Sequence, residues 1–342
     1  MPYRRRLNAL PLLFIGFFVA PLHAKETLRV LTWPGYADPD VVLTFEQRHN
    51  AHVEVTFIST DDSLHEHLDG KGNRRFDVFA ANTAEIQHYA AVGVSHPVDL
   101  QKIPNTANQL ARFRNLQEIP GITREGAVYA IPFTYSEMGI IYNRKLVHTP
   151  PSSINVLWDP QYHGRVLAYD GSTHSFSLAA QATGLNNPFH IDESQWPQLT
   201  QKLVELRRNV LTFYTQPDEV VDWFKKAPIA LVFANYGSQQ VKQLQDAGAN
   251  IGYVIPQEGA LAWLDCWGII HGTPVDSLAH AWINYMLEPQ ISKALEDRQG
   301  LSSTTSSPNA PPEQDKLIWL QPVENTERRA TLWNSIRSGD AL

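Results

Sequence analysis

Asp170, Ser172 and His174, in Tyr169-Asp170-Gly171-Ser172-Thr173-His174-Ser175, are the residue types of a hydrolytic triad. A working triad converges from separate segments, whereas these lie within five consecutive residues, and the Gly-x-Ser-x-Gly elbow is missing. The start of a capped helix accounts for them better. His65 and His67, in Asp61-Asp62-Ser63-Leu64-His65-Glu66-His67-Leu68-Asp69, have the composition of a metal site. On a helix, residues two apart point to different faces, so a solvated helix face is the simpler reading. Cys266 follows Asp265, whose charge raises a thiol pKa and argues against a nucleophile. As the only cysteine of the chain, it allows neither an intramolecular disulfide nor a cysteine-based metal cluster. Phosphate-loop, dinucleotide and His-Glu-x-x-His motifs are absent from the sequence.

A second group of residues suits binding. Trp33 and Tyr36, in Leu31-Thr32-Trp33-Pro34-Gly35-Tyr36, stand just beyond a strand pattern. Trp263 and Asp265 are two apart on another, and so share one side of it. A carboxylate beside aromatic plates fits a primary ammonium. The acid takes its hydrogen bonds, and each ring face adds about 0.5 to 2 kcal/mol of cation–π attraction in a desolvated site. The alternative is that these rings are core and Asp265 is a cap or hinge acid.

The elements that must hold these residues alternate in type. Leu28 to Thr32, His52 to Ile58 and Phe76 to Ala81 read as strands, separated by helices starting near Asp38 and Asp61, where Asp61 is expected to be the N-cap acid. A helix from about Thr83 to Val92 follows. After extended crossovers at Ala127 to Phe133 and Met138 to Tyr142, the order repeats: strand Gly164 to Tyr169, helix Ser175 to Thr183, helix Ser194 to Arg208, strand Leu211 to Tyr214, helix Pro217 to Lys226 and strand Ile229 to Asn235. Strands Ile251 to Ile255 and Leu261 to Ile270 precede one long amphipathic helix, Ser277 to about Glu296. A Ser/Thr/Pro-rich stretch, Ser302 to Pro312, then leads into C-terminal helices. This is an α/β pattern of mostly parallel sheets flanked by helices, with ligands expected beyond the carboxyl ends of the strands.

The 342 residues are enough for two compact domains, and 43% hydrophobic against 18% charged residues excludes a disordered chain. A formal charge of −7 leaves no electrostatic footprint for nucleic acid. Arg4, Arg5 and Arg6, an apolar run from Leu10 to Ala20, and Leu22-His23-Ala24 form the pattern of a cleaved secretory signal over residues 1–24. The run is too short to span a bilayer, which takes roughly 20 residues. Its removal leaves 25 basic and 35 acidic residues, a net charge of −10 that would mildly attract cationic solutes.

In order along the mature chain, Trp33-x-x-Tyr36, Phe76-Asp77-Val78, Ala130-Ile131-Pro132-Phe133, Gly139-Ile140-Ile141-Tyr142-Asn143, Ile255-Pro256-Gln257-Glu258-Gly259, Trp263-Leu264-Asp265 and Asn284-Tyr285-Met286-Leu287-Glu288-Pro289 resemble the bacterial periplasmic spermidine/putrescine-binding proteins. The resemblance implies a two-lobed periplasmic-binding-protein fold of the type II kind that closes at a hinge, binds a small amine, and hands it to an inner-membrane ABC permease. It implies no catalysis, cofactor or metal, and a monomer in the periplasm. With crossovers near Phe133 and Asp265, the lobes are expected to be discontinuous, 25–133 with 266–305 and 134–265 with 306–342. By the same resemblance, Trp33, Tyr36, Trp263 and Asp265 line the cleft, and Asn82, Tyr135, Phe233, Tyr236 and His174 occupy further ligand positions. The family's far-end acids fall at Gly171 and His174. Asp170 or Glu137 then restores a second carboxylate, or the ligand carries one ammonium and a less cationic end, as in an ω-amino acid such as γ-aminobutyrate. Two other readings are an exported hydrolase using Asp170 and His174, and a ferric-ion clamp, which would need clustered tyrosines where Tyr36, Tyr135 and Tyr236 stand singly.

Overall fold

The computed structural model describes residues 25–69, 75–305 and 316–339. The signal-like segment 1–24 lies outside these residues, as does the 306–312 part of the Ser/Thr/Pro-rich stretch. The chain begins with β1 (Thr27–Thr32), α1 (Pro39–His49), β2 (His52–Phe57), α2 (Asp61–Leu68), β3 (Val78–Asn82) and α3 (Thr83–Ala91). The short elements β4 (Ser95–His96), α4 (Ala111–Arg114), β5 (Thr123–Arg124) and β6 (Ala127–Val128) lead to the long strand β7 (Ala130–Met138). Next come β8 (Ile140–Asn143), β9 (Val166–Tyr169), α5 (Ser172–Ala182), α6 (Trp196–Asn209), β10 (Val210–Tyr214), α7 (Pro217–Lys226), β11 (Leu231–Phe233), α8 (Ser238–Asp246) and β12 (Ile251–Val254). A second long strand, β13 (Ala260–Ile270), is followed by α9 (Asp276–Met286), α10 (Pro289–Gln299), β14 (Ser302–Ser303), β15 (Leu317–Trp319) and α11 (Thr326–Ser338).

These elements form two α/β lobes. In the first, the strand order is β14-β7-β13-β3-β1-β2, with β4 and β15 also pairing with β13; in the second it is β10-β9-β11-β8-β12. Pairing is parallel where helices connect the strands, as in β2-β1-β3 and β10-β9-β11, because such a connection returns the chain in the same direction. The long strands instead meet antiparallel, β13 against both β3 and β7. β3 is buried along its whole length, as the apolar run predicts for a strand covered on both faces.

β7 and β13 run from one core into the other. Tyr135 and Leu264 pack into the first core, while Met138 and Leu261, a few residues along the same strands, pack into the second. The crossing is tightly packed. Ser238 N–H donates to Ser136 Oγ at 3.0 Å, and Gly237 adopts φ +53° and ψ −124°, a conformation open only to glycine. A Cβ at Gly237 would collide with the Ser136 side chain and the Glu137 carbonyl.

One expected element is corrected. The single helix from Ser277 to Glu296 is two helices, α9 and α10, because Pro289 has no N–H to continue the ladder and holds Glu288 extended, at φ −73° and ψ 144°. The amphipathic pattern runs through the break because both helices bury a face on the same core.

Candidate functional site

A cleft of about 740 Å³, counting the solvent in its mouth, opens between the lobes at the carboxyl ends of β1, β2, β3, β9 and β11. Its position follows from topology, since loops leave parallel strands on that side. Trp33 and Tyr36 enter from the turn after β1. Pro34 and Gly35, at φ +89°, give that turn its sequence signature, and Tyr36 N–H closes it on the Trp33 carbonyl at 3.3 Å.

Asp265 is the electrostatic centre of the cleft. It lies on β13 opposite Asn82 of β3 and Thr134 of β7. The register then slips, so that Cys266 faces Pro132 and Phe133 is the extra residue on β7. Bulges of this kind re-aim side chains beside binding sites. Here Phe133 packs edge-on against the Tyr36 ring, centroids 5.3 Å apart, and the Tyr36 phenol donates a 2.7 Å hydrogen bond to Asp265 Oδ2. The Asp265 side chain is buried, and desolvation pushes its carboxyl up to about 7 although the Tyr36 bond pulls the other way. Burial, and next the Asp265 charge, raise the Tyr36 phenol well above its ordinary value. Burial likewise holds Cys266 as a thiol, with Asp265 adding to the shift. Trp263 reaches across to the second lobe, its indole N–H donating to the Asn235 carbonyl at 3.2 Å.

The facing wall comes from the second lobe and is neutral. His174 binds Asn235 Oδ1 through Nδ1 at 2.8 Å, which assigns Nδ1 as the donor and leaves Nε2 an acceptor. Burial lowers its pKa, so the imidazole is uncharged near neutrality. Tyr169 and Tyr236 meet edge to face with centroids 5.9 Å apart, and the Tyr236 phenol is fixed by the Thr215 carbonyl at 2.6 Å. Gln216, Asn235 and Gln239 complete this side.

Among the residues singled out from sequence, Trp33, Tyr36, Asn82, His174, Tyr236, Trp263 and Asp265 line the cleft. Three others are corrected. Tyr135 is buried in the first core, where Arg112 donates to its phenol and its ring packs on Phe113. Phe233 is the last residue of β11 and lies in the second core, whereas the chain meets the cleft only beyond the strand, at Asn235 and Tyr236. Asp170 points away because Tyr169 before it points in; its oxygens accept from Trp333 Nε1 at 2.8 Å and Arg337 Nη1 at 2.7 Å. Glu137 does not reach the cleft either: it is buried at the lobe crossing, and burial raises its carboxyl to about 6. Ser172 and His174 do sit at a helix start, but the N-cap is Gly171, without a side-chain cap bond. His65 and His67 have separate partners, Glu85 Oε2 at 2.6 Å and the Ser63 carbonyl at 2.7 Å.

Sequence reasoning missed Asp61 and Tyr169, both cleft-lining. Each stands at the carboxyl end of a parallel strand, the rule that located Trp33. Asp61 was masked by its expected role as a helix cap. The N-cap is in fact Thr60, whose side chain accepts from Ser63 N–H at 3.1 Å while Ser63 Oγ takes the Thr60 N–H, a reciprocal capping box.

Two α/β lobes with an aromatic, carboxylate-bearing cleft between them define a hinged solute-binding protein. The sequence pattern of the bacterial extracellular solute-binding protein family matches residues 40–318, and the chain belongs to that family of binding proteins, which are not enzymes. It is 23% identical over 301 residues to the spermidine/putrescine-binding periplasmic protein of Escherichia coli K12, an alignment covering 87% of this chain and 83% of that protein. Its fold matches the TpPotD lipoprotein of Treponema pallidum with a TM-score of 0.76 at 19% identity, covering 92% of this chain and all of the other. The PBP MotA from A. tumefaciens B6, solved in complex with glucopine, matches with a TM-score of 0.72 at 15% identity, over 91% of this chain and all of the other. Among the described residues, no helix is long and apolar enough to cross a membrane.

Proposed function

We propose that this protein is the periplasmic receptor of an ABC-type importer and that its cargo is a primary amine of the putrescine and spermidine class, held with one ammonium on Asp265. The observation that carries this reading is the Asp265 carboxylate, buried in an aromatic cleft and accepting a hydrogen bond from the Tyr36 phenol. A buried carboxyl that gives up its proton near pH 7 is poorly solvated as an anion, and an arriving ammonium supplies the missing counter-charge. Trp33 and Trp263 offer ring faces to the alkyl chain and the cation. The names of relatives support the same class, the E. coli protein being a spermidine/putrescine binder. Ligand contacts from both lobes favour the closed state, which the permease is taken to recognise.

A ligand with one ammonium and an anionic end is the second reading, favoured by the absence of any carboxylate from the second-lobe residues that line the cleft and by the uncapped start of α5 beside His174. Calorimetric titration with putrescine, spermidine and γ-aminobutyrate separates the two. Heat with putrescine and none with γ-aminobutyrate is expected; binding of γ-aminobutyrate alone would replace the amine reading with the second.

A further inference from the structure

We propose that Asp61 is the second charged anchor of the ligand, so that both counter-charges of a short primary diamine come from the first lobe while the second lobe contributes only neutral walls. This rests on the amine reading and gives it a length and a charge pattern.

Three observations carry it. First, Asp61 lines the same cleft as Asp265, and Asn82 connects them: Asn82 Nδ2 donates to Asp61 Oδ1 at 3.3 Å, and Asn82 sits directly across from Asp265 in the β3–β13 register. Cross-strand neighbours have Cβ atoms about 5 Å apart, so a single residue, Asn82, hydrogen-bonded to one carboxylate and paired in register with the other, links the two acids. Two acids so linked suit two ammonium groups joined by a few methylenes. Second, the other acids that could serve are committed elsewhere, Asp170 to Trp333 and Arg337 and Glu137 to the buried lobe crossing. Third, capping of α2 is done by Thr60 and Ser63, so the helix does not need the Asp61 carboxylate for its first turn. Asp61 lines the cleft together with Tyr169 and Tyr236, and its charge, after burial, contributes to raising both phenols.

Selectivity follows from the arrangement. A monoamine leaves one carboxylate without a cation, and an ω-amino acid directs its own carboxylate towards Asp61. The diamine is therefore preferred to both, and it can dock on the first lobe before the lobes close.

The test is calorimetric titration of the full mature chain, as wild type, Asp61→Asn and Asp265→Asn, with putrescine, butylamine and γ-aminobutyrate. For wild type, putrescine is expected to bind at least about tenfold more tightly than butylamine, as a second charge-assisted contact implies. In Asp61→Asn the putrescine-to-butylamine affinity ratio should fall by about 10- to 100-fold, whereas Asp265→Asn should remove binding of both. Thermal melting of Asp61→Asn within about 2 °C of wild type shows that the change is not a folding defect, since the cap is retained. An unchanged ratio in Asp61→Asn overturns the assignment of Asp61 and leaves Asp265 and the amine reading standing. Absence of amine binding by wild type overturns the amine reading, and the second anchor with it.

Discussion

Replacing Asp265 by Asn should strengthen the ligand-free protein while abolishing amine binding. In the folded chain the Asp265 carboxyl gives up its proton near pH 7, against an ordinary aspartate value of about 3.9 in the unfolded chain. Between these values the folded state holds a proton that the unfolded state has lost, so stability falls as pH rises through the window. Three pKa units correspond to about 4 kcal/mol, fully present as a penalty above pH 7 and gone below pH 4. Hinge opening hydrates the carboxylate and reduces the figure, so a gain of about 2 kcal/mol in the variant at pH 8 is within the expectation. Asparagine keeps the size of the side chain and an oxygen to accept from the Tyr36 phenol, but carries no charge. Urea unfolding of the ligand-free wild type and variant at pH 4.5 and pH 8 measures the effect. The curves should nearly coincide at the lower pH and separate at the higher, the variant being the more stable. A variant less stable than wild type at pH 8, or a difference independent of pH, would show that Asp265 is held for structure rather than for a ligand, and would refute the reasoning.

The same ionisation governs affinity: amine binding should weaken about tenfold for each pH unit below 7 and release about half a proton at pH 7, checked by titration in buffers of different ionisation enthalpy. Tyr36→Phe removes the one interaction that lowers the Asp265 carboxyl, so the midpoint of that pH profile should move upward. Arg329→Ala should cost about 3 to 5 kcal/mol in denaturant unfolding, because Arg329 is fully buried and joins Glu324 to the Thr173 carbonyl, Ser177 Oγ and the Phe189 carbonyl. Gly237→Ala should lower stability by about 2 kcal/mol or more, through both the strained backbone and the collision with β7 at the lobe crossing; a neutral effect on melting temperature would contradict the packing described there.

The alternation of strand and helix was legible because apolar runs of strand length and helix start signals recur along both halves of the chain. The strand-end rule placed Trp33 and Tyr36, and the period of two placed Trp263 beside Asp265. Where sequence reading missed, the cause was phase or a hidden partner. Asp170 is one position out of register with the cleft, since strand phase at a loop junction depends on tertiary contacts such as those of Trp333 and Arg337, more than 160 residues away in the chain, and Phe233 ends its strand in the core before the chain reaches the cleft at Asn235. Tyr135 was matched by position, yet its phenol is engaged by Arg112 inside the first core. Asp61 was overlooked because an acid at a helix start reads as a cap, although Thr60-x-x-Ser63 was the available sign that the cap lay one residue earlier. The bulge that seats Phe133 on Tyr36 has no signature in sequence beyond Pro132, whose missing N–H weakens the ladder at that point.

The most direct test of the central claim is a crystal structure of the mature chain with putrescine bound. The account predicts closed lobes, with a primary ammonium about 3 Å from an Asp265 carboxylate oxygen and the alkyl chain against Trp33 and Trp263. A ligand whose ammonium lies away from Asp265, or a cleft left empty at saturating putrescine, would contradict it.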